Sequence, residues 1–257
     1  MSINSRSSFI YGYTVDETNF YVDFDEGGGE LSAELDINDY SMTDFAIELA
    51  RAMTEAGGQT YSAAVDRSTR KITISATSNF DLLISTGSHV GTAAWSLIGM
   101  SGADKTSTNS YESDSSTGSE YRPQFKLQEY IDFEDFQTSV QGNVNESANG
   151  DVEVVSFGNV KFAECNITFA TNVNQGESDV IENNASGVAD LRSFMEYCIT
   201  KGILEFIPDR DIPNTFKKVL LESTTQDKKG IGFRLYELYG RGLPNYYETK
   251  KLKWRLL

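Results

Sequence analysis

Apolar and polar positions alternate along the first hundred residues in a pattern that predicts paired strands around one helix. Phe20, Val22 and Phe24 alternate with Asn19, Tyr21 and Asp23, the period of a half-buried strand. Glu26-Gly27-Gly28-Gly29 supplies a turn, and Leu31, Ala33, Leu35 and Ile37 alternate back, so the segment predicts a hairpin. Ser41, three residues ahead of Asp44, marks a helix start. Met42, Phe45, Ala46, Leu49 and Met53 line one helical face, and Gly57-Gly58 ends it. Tyr61, Ala63 and Val65, then Ile72 and Ile74, predict two strands about a turn at 66–69. Residues 79–84 predict another strand, and 92–98, around Trp95, one short helical turn. Residues 1–100 therefore read as a small α+β module with one helix on a sheet.

Residues 101–120 hold almost no apolar side chains, and the expectation is a polar linker or loop, one that orders where it lies across a neighbour. Residues 121–257 read as a β-rich domain. Phe125, Leu127, Ile131 and Phe133 have strand character, 141–151 is a polar loop, and Cys165, Ile167 and Phe169 alternate as a strand. A second polar loop covers 171–186. Val188, Leu191, Phe194, Met195, Cys198 and Ile199 then fall on one helical face, with Ser186 as cap, Asp190 in the first turn and Lys201-Gly202 as the stop. Ile203 to Ile207 reads as a buried strand, Pro208 and Pro213 bracket a turn, and Phe216, Val219, Leu220 and Leu221 return. Leu252, Trp254 and Leu256 alternate with Lys251, Lys253 and Arg255, a closing strand with a basic outer face. The fold expected is mainly β with α+β character: a β-sandwich or barrel-like domain with a flanking helix, plus the small N-terminal module.

Charge narrows the partners. The chain carries 22 basic and 38 acidic residues, net −16, which argues against a nucleic-acid grip built on clustered Lys and Arg. The imbalance is uneven: residues 1–200 carry 31 acidic and 10 basic side chains, and residues 201–257 carry 7 and 12. Such a split favours head-to-tail contact between copies, with a solvated acidic surface and a basic tail as the plainer reading. The longest uncharged run, 82–103, is rich in Ser, Thr and Gly and reads as strand plus short helix, so no membrane insertion is expected, and synthesis in the cytoplasm is the default.

Candidate chemistry is sparse. His89 is the single histidine, and the two cysteines, Cys165 and Cys198, lack metal-ligand spacing; no phosphate-binding loop, nucleophile elbow or dinucleotide fingerprint occurs. The chain reads as a non-enzyme, with no cofactor or metal expected. Asp23, Asp25, Glu26 and Glu30 surround three glycines; an oxygen-rich turn suits calcium, but a solvated hairpin tip is the favoured reading. Paired carboxylates of a glycosidase remain a third alternative. Tyr236, Tyr239, Arg241, Tyr246 and Tyr247, with Trp254, are the candidate interface residues, because Tyr and Arg combine apolar area with a polar handle; stacking on sugar rings and packing in a core are the alternatives.

The run from Asn19-Phe20-Tyr21 through Asp39-Tyr40 and the capped helix to Tyr61 and Lys71-Ile72-Thr73-Ile74 resembles a module of tailed-bacteriophage virion proteins. The second half has a helix leading into a strand that ends Phe206-Ile207-Pro208-Asp209, and a closing strand after Gly242-Leu243-Pro244. It is similar to the ring-forming tail-tube and distal-tail proteins of long-tailed phages. The resemblance spans most of the chain, rests on patterning, and carries over no functional residue. It implies a structural subunit of the virion tail, made in the host cytoplasm. Such a subunit forms a homo-oligomeric hexameric ring, contacts neighbouring tail proteins and lets DNA pass without specific binding. The alternative is a virion adhesion or decoration module that binds host glycan.

Overall fold

A computed structural model describes residues 6–122, 133–146, 152–165, 188–189, 191–200, 202–224, 236–237, 247–248 and 252–257. The first strands are β1 (Ser8–Tyr11), β2 (Tyr13–Val15), β3 (Tyr21–Asp25), β4 (Glu30–Glu34) and β5 (Asn38–Tyr40). Helix α1 (Met42–Ala56) leads to β6 (Tyr61–Asp66), β7 (Lys71–Leu82), a 3-10 turn at Val90–Thr92, the single-turn α2 (Trp95–Ile98), β8 (Lys105–Glu112) and β9 (Ser119–Tyr121). The second half contains β10 (Phe133–Glu146), β11 (Val152–Cys165), β12 (Val188–Ala189), α3 (Leu191–Thr200), β13 (Ile203–Ile207), β14 (Lys217–Thr224), β15 (Tyr236–Glu237), β16 (Tyr247–Glu248) and β17 (Leu252–Leu256).

The architecture is mainly β, with sheets in a sandwich-like arrangement and flanking helices. Among the described residues, one sheet has eight strands in the order β10-β11-β17-β14-β13-β1-β9-β12; another has five, β4-β3-β7-β6 with β8 on β7. The predicted hairpin forms as β3 and β4 with Val22 opposite Ala33, and β6 pairs with β7 through Asp66 opposite Lys71. Helix α1 starts where the sequence places it: the Asp44 amide donates to Ser41 Oγ, and Ser41 Oγ donates to the Asp44 carboxylate. Phe45, Leu49 and Met53 on α1 pack with Val22, Phe24, Ile72, Ile74 and Phe80. Leu191, Phe194, Met195 and Cys198 on α3 pack with Phe9, Leu204, Phe206, Val219, Leu252 and Trp254. The predicted stop after α3 is Gly202, at φ +94, where a Cβ would sit 2.6 Å from Leu220 Cδ1.

Strand β1 joins the two halves. It lies between β13 and β9 in the eight-stranded sheet, so an N-terminal segment sits inside the sheet of the C-terminal half. Its side chains alternate between two cores: Phe9 and Tyr11 face the α3 cluster, while Ile10 belongs to the α1 cluster. Strand β13 divides the same way, with Leu204 and Phe206 in one cluster and Ile207 in the other.

Several local expectations change. Residues 101–120, expected as a linker or loop, carry β8 and β9. Strand β8 needs no apolar face because it borders β7 and buries only Tyr111, its order coming from backbone bonds in the ladder. Side chains fix the flanks: Ser85 and Thr86 amides donate to Asp104, and the Ser101 amide donates to Asp114. The expected polar loop at 141–151 gives way to strand as far as Glu146. Val188, expected on the helix face, sits instead in β12, paired in parallel with β9. The expected cap Ser186 and first-turn Asp190, and strand positions 167 and 169, lie outside the described residues. Among the described residues no helix is long and apolar enough to cross a membrane.

Candidate assembly interface and polar clusters

Strands β10 and β11 form a hairpin of two 14-residue strands, paired from Phe133 opposite Cys165 to Glu146 opposite Val152. Its base joins the eight-stranded sheet through Phe162 to Cys165, which pair with β17. Among the described residues, Val152 to Lys161 have a ladder partner only in β10, and β10 only in β11. Ten residues at about 3.3 Å each extend roughly 33 Å along the strand. An isolated two-stranded hairpin is marginal in water, and its open edges present unpaired N–H and C=O groups.

The halves meet at a buried ionic seam. Glu205 on β13 is fully buried and accepts from the Thr43 amide at 2.8 Å, from Thr43 Oγ1, and from Arg67 Nε at 2.7 Å. Arg67 also donates to Thr43 Oγ1 and covers the Phe216 ring with its Cζ 3.6 Å from the centroid. Thr43 lies in the first turn of α1, so Glu205 satisfies a free N–H at the positive end of the helix. Arg70, in the left-handed region at φ 55, places its guanidinium 3.6 Å from Glu120, and its backbone carbonyl accepts from the Thr117 amide at 2.7 Å. Thr117 Oγ1 shares a hydrogen bond with the buried Tyr13 hydroxyl, and that burial pushes the Tyr13 phenol far above its ordinary range.

His89 clasps the hairpin β3–β4. Its amide donates to Asp23 Oδ2 at 2.7 Å, its Nδ1 lies 2.9 Å from Asp23 Oδ1, and its ring stacks on Tyr21 at 3.9 Å between centroids. Asp23 is fully buried, although alternation puts it on the outer face of its strand; the segment 83–94 covers it. Ser32 and Ser88 hydroxyls approach the same Nδ1 that Asp23 holds. A Ser-His-Asp relay needs serine and aspartate on opposite ring nitrogens, so this trio is not one. Of the hairpin-tip acids, Asp25 accepts from the Gly27 and Gly29 amides, and Glu26 accepts from the Gly58 amide and the Tyr61 hydroxyl. Asp23, Glu30 and His89 place one ligand atom each within 4.8 Å of one another.

Cys198 is buried, which pushes its thiol up and leaves it a poor nucleophile. Beside it an open cavity of about 380 Å³ is lined by Thr200, Leu220, Glu222 and Arg255. Burial opposes the charge on Glu222, but the Arg255 hydrogen bond and the Lys253 and Arg255 charges outweigh it and hold the carboxyl below its usual range.

Of the candidate interface residues, Tyr236 lies in β15 and Tyr247 in β16, with Tyr236 opposite Glu248 and Glu237 opposite Tyr247. Tyr239, Arg241 and Tyr246 lie outside the described residues. Trp254 is 3% exposed and stacks with Phe9 at 5.5 Å, within the α3 core. The ionic seam had no signal in the sequence, because Thr43, Arg67 and Glu205 are far apart in the chain.

No protein-family model matches the chain, and no curated protein matches its sequence. Among solved structures, the crystal structure of a selenomethionine-labelled mavirus penton protein is similar at 10% identity, over 100% of this chain and 88% of that one, with a TM-score of 0.28. A likeness of that size assigns neither family nor function.

Proposed function

We infer that the chain is a non-enzymatic structural subunit of a virion that assembles with copies of itself into a ring of a phage tail, either tail tube or distal-tail ring. The observation that carries this reading is the β10–β11 hairpin, whose two outer edges lack ladder partners over most of their length among the described residues. The edges of β10 and β11 are different surfaces. Pairing one to the other between copies is heterologous, and such contacts close into a ring when the rotation permits. Tyr236, Tyr239, Arg241, Tyr246 and Tyr247 are the proposed contact residues toward neighbouring tail proteins. The excess of acidic over basic side chains, 38 to 22, suits a wall that DNA passes without binding.

The test is mass determination with negative-stain imaging across a concentration series, on the parent and on a variant in which residues 139–160 are replaced by a short turn. Closed rings from the parent and monomers from the variant support the reading. A parent that stays monomeric at every concentration overturns self-assembly, and rings that persist without the hairpin overturn its role.

A further inference from the structure

The cluster at His89 is built like a cation site. The His89 Nδ1 lies 2.9 Å from Asp23 Oδ1, 3.2 Å from Ser32 Oγ and 3.1 Å from Ser88 Oγ. Three oxygens therefore converge on a single ring atom that offers one proton or one lone pair. Separations near 3.0 Å are the edge lengths of an octahedron with bonds of about 2.1 Å. The five residues involved, Asp23, Glu30, Ser32, Ser88 and His89, come from β3, β4 and the turn before the 3-10 helix, so folding brings them together.

We propose that Asp23, Glu30 and His89 bind one divalent first-row transition ion, with the Ser32 and Ser88 hydroxyls or water completing the shell. An imidazole nitrogen with two carboxylates suits Zn²⁺ or Mn²⁺ better than Ca²⁺, which takes oxygen ligands alone. Supporting bonds hold the ligands in place. The His89 amide fixes Asp23 Oδ2, Ser32 Oγ donates to Asp23 Oδ1 at 2.7 Å, and the Ser88 amide donates to Glu30 Oε1 at 2.6 Å. Gly87 leaves the room: a Cβ there would lie 2.5 Å from Asp23 Oδ2. Asp23 and His89 are the pre-set half, while Glu30, on the exposed end of β4, closes the cluster from within 4.8 Å. On binding, His89 gives its Nδ1 lone pair to the ion, which places the ring proton on Nε2.

The experiment titrates tag-free full-length protein with Zn²⁺ by calorimetry and follows the imidazole signals by NMR, which are unambiguous because His89 is the single histidine. The expected result is one ion per chain, a saturating shift of the His89 ring, and a raised Tm. Ca²⁺ is expected to bind at least about tenfold more weakly, with no ring shift. Glu30→Gln keeps the acceptor for Ser88, removes the charge, and is expected to weaken Zn²⁺ at least about tenfold while leaving the metal-free Tm within about 2 °C of the parent. Any of three results overturns the proposal: an unmoved His89 ring with Zn²⁺ up to about 1 mM, equal affinity for the parent and Glu30→Gln, or equal affinity for Zn²⁺ and Ca²⁺. None depends on ring assembly.

Discussion

Removing Arg67 probes how the halves are joined. Arg67→Met keeps much of the side-chain volume but strips the fully buried Glu205 of its cation, leaving the carboxylate with the Thr43 amide and hydroxyl alone. Breaking one side of a buried ion pair costs about 3–5 kcal/mol, a large share of the roughly 5–15 kcal/mol that holds a typical domain together. Loss of the contact with Phe216 adds about 0.5–2 kcal/mol. At about 2–4 °C per kcal/mol for a chain of this size, the combined loss of about 3.5–7 kcal/mol lowers Tm by roughly 7–28 °C. Glu205→Met strands Arg67 in the same way and costs a similar amount. The double variant Arg67→Met/Glu205→Met removes both charges, loses the Phe216 contact and leaves one unsatisfied helix-terminal amide at Thr43, costing about 1.5–5 kcal/mol. The assay is urea unfolding of the four proteins by circular dichroism and a double-mutant cycle. A double variant that costs the sum of the two singles refutes the reasoning, and so does an Arg67→Met cost below about 1 kcal/mol.

Further expectations concern cooperativity, alkali and two glycines. The two tryptophans report separate cores, Trp95 the α1 cluster and Trp254 the α3 cluster. Because β1 and β13 serve both, single-tryptophan variants should show coincident fluorescence transitions in urea, and two separated midpoints would contradict the shared core. Burial raises the Tyr40 and Tyr197 phenols to about 12 each, and those of Tyr13 and Tyr61 higher still. The folded state therefore keeps protons that the unfolded state loses. Their contribution is present below about pH 10 and declines as pH rises from there through the folded values, so tyrosinate absorbance should rise together with unfolding. A tyrosinate rise complete near pH 10 in folded protein would contradict this. Gly118, at φ +58, would bring a Cβ to 2.6 Å from the Tyr11 carbonyl oxygen, whereas Gly27, at φ +90, has nothing within 4 Å. Gly118→Ala should cost roughly 2–4 kcal/mol and Gly27→Ala about 1 kcal/mol; equal losses in urea unfolding would show that the close approach does not matter.

Elements whose cause is local are legible along the chain. The hairpin at Val22 and Ala33, the Ser41 cap, the apolar faces of α1 and α3, and the strand beginning at Ile203 follow from period, turn chemistry and capping within a few residues. A mainly β fold with flanking helices followed from their sum. Long-range packing set where backbone pairing replaces side-chain burial, since a polar strand such as β8 has no apolar period to read. It decided that β1 crosses into the other half's sheet, because strand partners are chosen by long-range fit rather than by neighbours in the chain. It also decided the fate of the polar residues. Asp23 and His89 meet across 66 positions, Arg67 and Glu205 across 138, and no composition or spacing along the chain encodes a contact at that range.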